Sequence, residues 1–350
     1  MADTKITILG MSGSGKTCFL LGLYYLMGAG RGGYTLHADD DTDVRLRDQY
    51  AKLCDRTLPK EQRFPAGTDN VTRYSFDLQY GFKTILSFDW VDYPGGLLDR
   101  KYEGDLEAYE EVKRTIVESS SLFICVDGSL LVGDDMDEKI DNIRDNCSNV
   151  INTFFSEYFQ TNQTLPPTAI LVTKFDECEA DNSNEDLCEI IQEAFSALFV
   201  DDENRKVVSI IPVSIGMNIM DDDYTGKMKP KNLQLPIFMG IWFALSKQIQ
   251  EYEFHAKNRI DRINTEVQKL EHQKWEKERK WFRSSDEIKA IARKIDKVQA
   301  SASTEQKRME QICRIMESNS DRLLKELDRI PYVYLNGVEK SFSDILGGSK

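Results

Sequence analysis

Near the start of the chain lies Gly10-Met11-Ser12-Gly13-Ser14-Gly15-Lys16-Thr17, which matches the pattern G-x-x-x-x-G-K-[ST] at every fixed position. The apolar, β-branched run 5–9 precedes it, and the largely apolar segment 18–27, long enough for a helix, follows it. Strand, glycine-rich loop and helix in this order are the context that a phosphate-binding loop requires. A turn that merely starts a helix is the competing interpretation, and the lysine and threonine disfavour it.

The residue types of this loop suit a triphosphate. Glycines let the backbone N–H groups point inward, and the following helix adds the positive end of its dipole. Lys16 can reach the β- and γ-phosphates, and the Thr17 hydroxyl can bind the Mg²⁺ that bridges them. The predicted nucleotide-binding residues here are Ser12, Gly13, Ser14, Gly15, Lys16, Thr17 and Cys18.

Composition restricts the class of protein. The seven cysteines of the 350 residues show no C-x-x-C pair, which is typical of reduced thiols in a cytosol. The N-terminus leaves no room for a signal peptide before the first strand, so we expect a cytoplasmic protein. The net charge is −14, whereas residues 247–330 carry 20 Lys/Arg and 16 Asp/Glu, so the remainder is strongly acidic. General nucleic-acid binding is therefore not expected.

Strand-like and helix-like segments alternate after the loop. Two runs, 72–79 and 83–91, are joined by a short turn and predict an antiparallel pair. Strands are then predicted at 122–126, 168–172 and 207–211, and helices at 105–119, 138–160 and 185–199. This alternation predicts an α/β fold with a mostly parallel, six-stranded sheet and helices on both faces.

A second candidate element, Asp92-Tyr93-Pro94-Gly95-Gly96, follows the strand at 83–91. An acidic residue at the carboxyl end of a strand lies where α/β sheets bind ligands. Asp92 could hold Mg²⁺ through water, and the Gly95 N–H could contact the γ-phosphate. The alternative is that Asp92 only forms the turn before Pro94 and Gly95 and binds no ligand. Asp89 is the second candidate for the magnesium carboxylate.

The succession GMSGSGKT, DYPG, TKFD and VSIG resembles the guanine-nucleotide-binding domain of the Ras-like and translation-factor class of P-loop GTPases, over about residues 4–250. The resemblance implies GTP and GDP binding, Mg²⁺ and GTP hydrolysis. A P-x-G-T arrangement at 65–68, with a helical insertion ahead of it, is further similar to bacterial GTPases predicted to act in tandem-GTPase or conflict systems.

By this resemblance, Thr173, Lys174 and Asp176 of TKFD read the base. A carboxylate can accept two hydrogen bonds from the guanine N1–H and exocyclic amine, a pair that adenine does not offer. The Lys174 stem would lie along the base, and the Ser214-Ile215 backbone would approach O6. Ile215 stands where the family more often has alanine.

The resemblance also implies a switch threonine that binds Mg²⁺ and the γ-phosphate. Thr68 matches best, with Thr72 as the alternative, so the predicted metal ligands are Thr17, Thr68 and Asp92, and the predicted catalytic residues are Lys16, Thr68 and Gly95. Gly96 stands where many members place a water-orienting glutamine, so we expect slow intrinsic hydrolysis. An arginine could supply the missing charge; the candidates are Arg31, Arg45, Arg47, Arg56, Arg63 and Arg73.

A helical arm is predicted after the globular part. Apolar positions recur at heptad spacing through 249–330, in two limbs of similar length around Ser284-Ser285. Equal limbs favour an antiparallel coiled-coil hairpin over a continuous rod that dimerises in parallel. The predicted domains are 1–248, 249–330 and a tail, 331–350, whose Asn336-Gly337 predicts a small hairpin packed back on the globular domain.

Three functions from different classes remain open. The first is a GTP-dependent switch that controls a protein partner through its loops and arm. The second resembles dynamin- or septin-like GTPases, which self-assemble. The third is a P-loop ATPase or a module that binds nucleotide without turnover. The arm tip, 274–283, is aromatic and basic, which suggests membrane contact. The favoured interpretation is that its cations suit the C-terminus of a helix and its aromatic side chains cover the end of the coiled-coil seam.

Overall fold

The structure is a computed structural model. It describes residues 4–65, 67, 71–98, 106–202, 206–216, 226–279 and 285–347. Thr68 lies outside the described residues. The chain forms two compact units: unit 1 comprises Met1–Ala244 and Leu323–Lys350, and unit 2 comprises Leu245–Arg322. The chain therefore leaves unit 1 once and returns to it.

The elements are numbered along the chain. The strands are β1 (Lys5–Leu9), β2 (Tyr34–His37), β3 (Thr72–Tyr80), β4 (Lys83–Asp92), β5 (Ser121–Asp127), β6 (Thr168–Thr173), β7 (Val207–Pro212), β8 (Tyr332–Leu335) and β9 (Val338–Glu339). The α-helices are α1 (Lys16–Gly28), α2 (Asp40–Cys54), α3 (Lys60–Arg63), α4 (Leu106–Val117), α5 (Met136–Ile143), α6 (Asn149–Asn162), α7 (Phe175–Cys178), α8 (Asn184–Ala194), α9 (Gln234–Arg279), α10 (Ser285–Leu327) and α11 (Phe342–Gly347).

The nine strands of the described residues form one sheet, in the order β2-β3-β4-β1-β5-β6-β7-β8-β9. The five strands from β4 to β7 in that order are parallel, and β3 pairs with β4 antiparallel, so the predicted α/β class and the predicted antiparallel pair are confirmed. The predicted number of six strands is wrong. Strands β2, β8 and β9 extend the two edges, each with at most four residues, too short to give a clear hydrophobic period.

The register gathers the functional ends of the strands at one edge of the sheet. Ile8 of β1 is level with Asp92 of β4, and Leu9 is level with Ile124 of β5. Strands β6 and β7 are buried along their whole length. Because parallel strands end at the same edge, the loops that follow β1, β4, β5, β6 and β7 come together there.

Helices cover both faces of the sheet. On one face, residues of α4, α5, α6 and α8 form a single apolar cluster with β5, β6 and β7. On the other, Phe19 of α1 stacks on Trp90 of β4, which contacts Phe123 of β5 edge-on. A long aromatic and aliphatic core thus fixes the strand ends that carry the site.

In unit 2, α9 and α10 run antiparallel within one chain. Arg259 pairs with Glu305 at 2.6 Å, and Lys294 pairs with Glu266 at 3.6 Å. Residue numbers therefore rise along α9 in the direction in which they fall along α10. Val267, Leu270 and Ile295 are buried between them. This arrangement is the predicted helical hairpin and not a continuous rod.

The arm tip, 274–283, is only partly described. Trp275 is half exposed, and the Arg279 guanidinium lies 4.5 Å from its ring centroid. Residues 280–284, including Trp281, lie outside the described residues. No described helix has the length and apolarity required to cross a bilayer.

Candidate nucleotide-binding site

One cavity, of about 370 Å³, opens where β1, β6 and β7 end. It brings together nearly all the residues predicted from the sequence. The predicted residues that line it are Ser12, Gly13, Ser14, Gly15, Lys16, Thr17, Cys18, Gly95, Thr173, Lys174, Asp176, Ser214 and Ile215. Asp92 lies behind the lining, and Thr68 is not among the described residues. Segments separated by up to 200 residues in the chain therefore share one site.

The loop between β1 and α1 has a conformation that its glycines allow. Gly13 and Gly15 have φ angles of 78° and 82°, a region that residues with a Cβ rarely adopt. The Ser14 N–H donates to the Met11 carbonyl at 3.2 Å, which closes the turn. Helix α1 then begins at Lys16, so the loop lies at the positive end of the helix dipole.

Lys16 is held inside the loop. Its side chain is 7% exposed, and Nζ donates to the carbonyl oxygens of Gly10 at 2.6 Å and Met11 at 3.1 Å. Burial lowers the pKa of Lys16, and the Asp92 carboxylate opposes this shift. A phosphate would give this buried cation a better partner than two neutral carbonyls.

Asp92 is the buried acid beside Lys16. It is 1% exposed, and its Oδ1 has no hydrogen-bond partner among the described residues. Burial raises the pKa of Asp92 to about 6, and the Lys16 charge limits the rise. A buried carboxylate oxygen without a partner is unfavourable unless a water or a cation satisfies it.

Asp89, the second candidate, lies elsewhere. It is level with Lys5 at the start of β1, whereas Asp92 is level with Ile8 near its end. Three residues along a strand separate them by about 10 Å. Asp89 also accepts a hydrogen bond from Ser75 Oγ at 2.8 Å. The geometry therefore favours Asp92 as the carboxylate of the site.

The donor set fits Mg²⁺. The Thr17 hydroxyl and the Asp92 carboxylate supply oxygen, the ligand atom that this ion prefers, and Mg²⁺ commonly takes its other ligands from water and phosphate. The unsatisfied Asp92 Oδ1 is the observation in favour. No group of three or more His, Cys, Asp or Glu side chains suited to a metal occurs in the described part of the chain. Without phosphate oxygens the site is therefore incomplete.

The turn after Asp92 lies directly against the phosphate loop. A Cβ added to Gly95 would be 2.2 Å from Ser12 N, so no side chain fits there without moving the loop. A Cβ added to Gly96 would meet no atom of the described residues within 4 Å. Position 95 is thus sterically closed, whereas position 96 has room for a side chain.

The TKFD segment is tied to the phosphate loop. Thr173 Oγ1 lies 2.7 Å from the Ser14 carbonyl oxygen and 3.0 Å from the Val126 carbonyl oxygen, within hydrogen-bond distance of both. Lys174 follows with a positive φ of 49°, which turns the chain out of β6 and into α7. The phosphate end and the base end of the cavity are consequently held in a fixed relation.

Asp127 is a residue of this site that sequence reasoning missed. It ends β5 level with Thr173, and its Oδ2 accepts from Lys174 Nζ at 2.6 Å. A signal was present, because Asp127-Gly128 repeats the pattern of an acid before glycine at a strand end that identified Asp92. Asp127 fixes the lysine that the resemblance places along the base.

Asp176 faces the last loop. Its Oδ1 accepts from Ser214 Oγ at 2.5 Å, and the Gly216 N–H donates to the same Ser214 Oγ at 3.0 Å. Among the described residues, Oδ2 of Asp176 has no partner. A carboxylate oriented in this way presents acceptor positions toward a base in the cavity.

Ile215 fits its unusual position because α1 has a glycine opposite. A Cβ added to Gly22 would lie 2.8 Å from Ile215 Cγ2 and 2.9 Å from Leu233 Cδ1. The Ile215 side chain therefore fills the space that any side chain at position 22 would need.

The arginine candidates do not line the described cavity. Arg47 pairs with Asp43, Arg73 pairs with Glu111, and the Arg45 guanidinium lies over the Tyr74 ring. Arg63 is buried. The seven cysteines are free thiols, and burial raises the pKa of Cys18, beside the loop, to about 11.

Comparison with known proteins gives structural neighbours only. No family model and no curated protein matches the sequence. A nucleolar GTP-binding protein 1 from Plasmodium falciparum is 11% identical, with 74% of this chain and 94% of that chain covered and a TM-score of 0.35. A GDP-bound GTP-binding protein from Sulfolobus solfataricus is 13% identical, with 69% and 52% covered and a TM-score of 0.35.

The GTP-bound GTPase-like domain of Ski7 from S. cerevisiae is 14% identical, with 65% of this chain and 46% of that chain covered and a TM-score of 0.36. GTP-binding proteins are thus among the structural neighbours. The function proposed below rests on the residues of the site.

Proposed function

We propose that this protein binds GTP with Mg²⁺ and hydrolyses it to GDP and phosphate. The observation that supports this most is the single cavity that joins the Lys16 loop to Asp176. A triphosphate suits the glycine-rich end, and a guanine suits the end where Asp176 presents its carboxylate. A nucleotide that spans both ends satisfies the buried lysine and the base-reading acid together.

Each residue has a distinct task in this proposal. The N–H groups of residues 13–17 bind the phosphates, and Lys16 moves from the Gly10 and Met11 carbonyls to the β- and γ-phosphate oxygens. Thr17 and Asp92 would hold Mg²⁺, which would neutralise charge on those oxygens. The Gly95 N–H contacts the γ-phosphate. Asp176, oriented by Ser214, accepts the guanine N1–H and amine protons.

Hydrolysis is expected to be slow. Gly96 has no side chain to orient the attacking water, and no candidate arginine lines the described cavity. In our proposal the turn at Asp92–Gly96 reports the state of the γ-phosphate, since it lies against the phosphate loop. The helical arm of unit 2 would then contact a protein partner or a second copy. The switch threonine, Thr68, remains a prediction from the resemblance.

The test is displacement of a fluorescent GDP from the purified chain by GTP or ATP. GTP should compete about 100-fold better than ATP, because adenine does not offer the pair of donors that the Asp176 carboxylate accepts from guanine. Lys16→Ala should weaken both nucleotides, whereas Lys83→Ala, which changes an exposed residue outside the cavity lining, should weaken neither. Equal competition by ATP would exclude guanine recognition. Light scattering with a non-hydrolysable GTP analogue tests the alternative of nucleotide-dependent self-assembly.

A further inference from the structure

Unit 1 contains a second depression, whose lining shares no residue with the nucleotide cavity. We call it the acidic groove. It measures about 1200 Å³, and α5, α8 and the strand pair β8–β9 form its walls. Its deep part is apolar and includes Ile140, Cys188 and Tyr334, while Val200 at its edge is 51% exposed.

The upper part of the groove is strongly negative. Asp137, Glu185, Glu189 and Glu339 line it and are exposed, and within the described residues no cation pairs with any of them. Among the described residues, the lining has one basic residue, Arg144, which is already paired with Glu193 at 2.6 Å. The described residues therefore do not neutralise the negative charge of the groove.

Glu339, in the strand pair β8–β9, faces α8 across the groove. Burial raises the pKa of Cys188 on α8, and the Glu339 charge adds to the rise. Like charges placed on facing walls repel each other, and a cationic ligand between them would relieve that repulsion. The apolar deep part calls for apolar side chains in the same ligand.

We propose that the acidic groove binds a basic amphipathic segment of a partner protein. Its Lys and Arg side chains pair with the acids at the edge, and its aliphatic side chains cover Ile140, Cys188 and Val200. Helix α8, with 11 residues, is about 16 Å long, which matches about three turns of a helical ligand. This site is independent of the nucleotide proposal.

The probe is a fluorescein-labelled, 14-residue amphipathic helix of leucine and lysine, and its anisotropy is measured against the 350-residue chain. A matched peptide with serine in place of leucine carries the same charge. The groove variant is Glu185→Gln with Glu189→Gln on α8. Its control is Asp41→Asn with Asp48→Asn on α2, which removes the same charge from another exposed helix.

The groove variant should bind the leucine–lysine peptide about 5- to 10-fold more weakly, whereas the control should change less than about 2-fold. Val200→Ser should weaken this peptide and leave the serine–lysine peptide unchanged. Because Glu185 lies in the first turn of α8, Glu189→Gln alone serves as a second variant that keeps the helix start intact.

Equal losses in the two double variants, or equal binding of the two peptides, would mean general attraction to an acidic protein and would overturn the proposal. A homo-oligomer that dissociates in the Glu185→Gln, Glu189→Gln variant by sedimentation velocity would identify a second copy as the occupant. That outcome would overturn it as well.

Discussion

Lys174 Nζ lies 2.6 Å from Asp127 Oδ2, and this pair joins the end of β5 to the segment that follows β6. The other carboxylate oxygen of Asp127 accepts from Ser129 N at 3.0 Å and Ser129 Oγ at 2.8 Å. Both oxygens are engaged, so the lysine stem is held in one place beside the cavity. The hydrogen bonds to Ser129 also start the short helical turn at Gly128–Leu131.

Asp127→Asn should therefore weaken GTP binding about 3- to 10-fold, because the ion pair that positions Lys174 is lost. The asparagine oxygen can still accept from Ser129, so the melting temperature of the nucleotide-free protein should barely change. Fluorescent-nucleotide titration and thermal melts measure the two effects. Ser129→Ala is the matched control, since it removes the Oγ contact and leaves Lys174 paired. Unchanged affinity in Asp127→Asn would show that Lys174 needs no fixed position.

Asp176→Asn should lower GTP affinity about 100-fold and raise affinity for xanthosine triphosphate. A carboxamide N–H repels the guanine amine protons but can donate to the carbonyl that xanthine has in their place. Competition titrations with GTP, XTP and ATP measure the change. Ser214→Ala should weaken GTP binding less and without a gain for XTP. A uniform loss for all three nucleotides would contradict base reading by Asp176.

Gly96→Gln should speed GTP hydrolysis, whereas Gly95→Ala should weaken GTP binding. Position 96 has room for a side chain, and a glutamine there can orient water, so the single-turnover rate of GTP hydrolysis should rise about 10-fold or more. Position 95 has a Cβ clash with Ser12 N, so alanine should disturb the phosphate loop and weaken GTP binding. Quenched-flow measurement of phosphate release gives the hydrolysis rate, and titration with a fluorescent nucleotide gives the affinity. Slower hydrolysis in Gly96→Gln at unchanged affinity would contradict this assignment.

The raised pKa of Asp92 predicts that the stability of the nucleotide-free protein depends on pH. The folded pKa of Asp92, about 6, lies above the ordinary value of 3.8, so the folded state binds the proton more tightly than the unfolded state. Stability of the nucleotide-free protein is therefore lost as the pH rises from about 4 to 6, and the full cost, of about 3 kcal/mol, is present above pH 6.

Asp92→Asn should consequently stabilise the nucleotide-free protein at pH 7.5, with a gain that shrinks below pH 6 and disappears near pH 4. The same change should abolish the Mg²⁺ dependence of GTP binding. Thermal melts over a pH series test the first effect, with Asp48→Asn as an exposed control. A gain that does not vary with pH would show that desolvation of the carboxylate is not its cause.

Gly22 and Ile215 should be energetically coupled. Gly22→Ala normally stabilises a helix interior by about 1 kcal/mol, but here the new Cβ meets Ile215, so the single change should destabilise. In an Ile215→Ala background the same change should cost much less, because one of its two close neighbours is removed. A double-mutant cycle by urea unfolding measures the coupling. Additive effects would mean that the side chains readily move apart.

The parts of the fold that sequence reasoning predicts are those that one short segment determines. The phosphate loop is contiguous, and the apolar runs that became β1, β5, β6 and β7 are buried on both faces and read as continuous hydrophobic sequence. Asp92 was predictable because an acid before a glycine turn marks a strand end.

The parts that were missed depend on neighbours distant in the sequence. Asp127 became a site residue because β5 and β6 are adjacent and place it level with Thr173. The room for Ile215 depends on Gly22, about 190 residues earlier. Strand β2 has four residues and forms mainly because β3 offers an open edge. Local patterns do not contain these pairings.

The return of the chain from the helical pair to β8 has a consequence for biosynthesis. Strand β7, apolar and buried along its whole length, receives its outer neighbour from residues 332–335, which the ribosome adds only after both long helices. Until then the β7 edge of a nascent chain is open and can pair with other strands. Truncation at residue 322 should thus yield an insoluble product even though the complete phosphate loop is present.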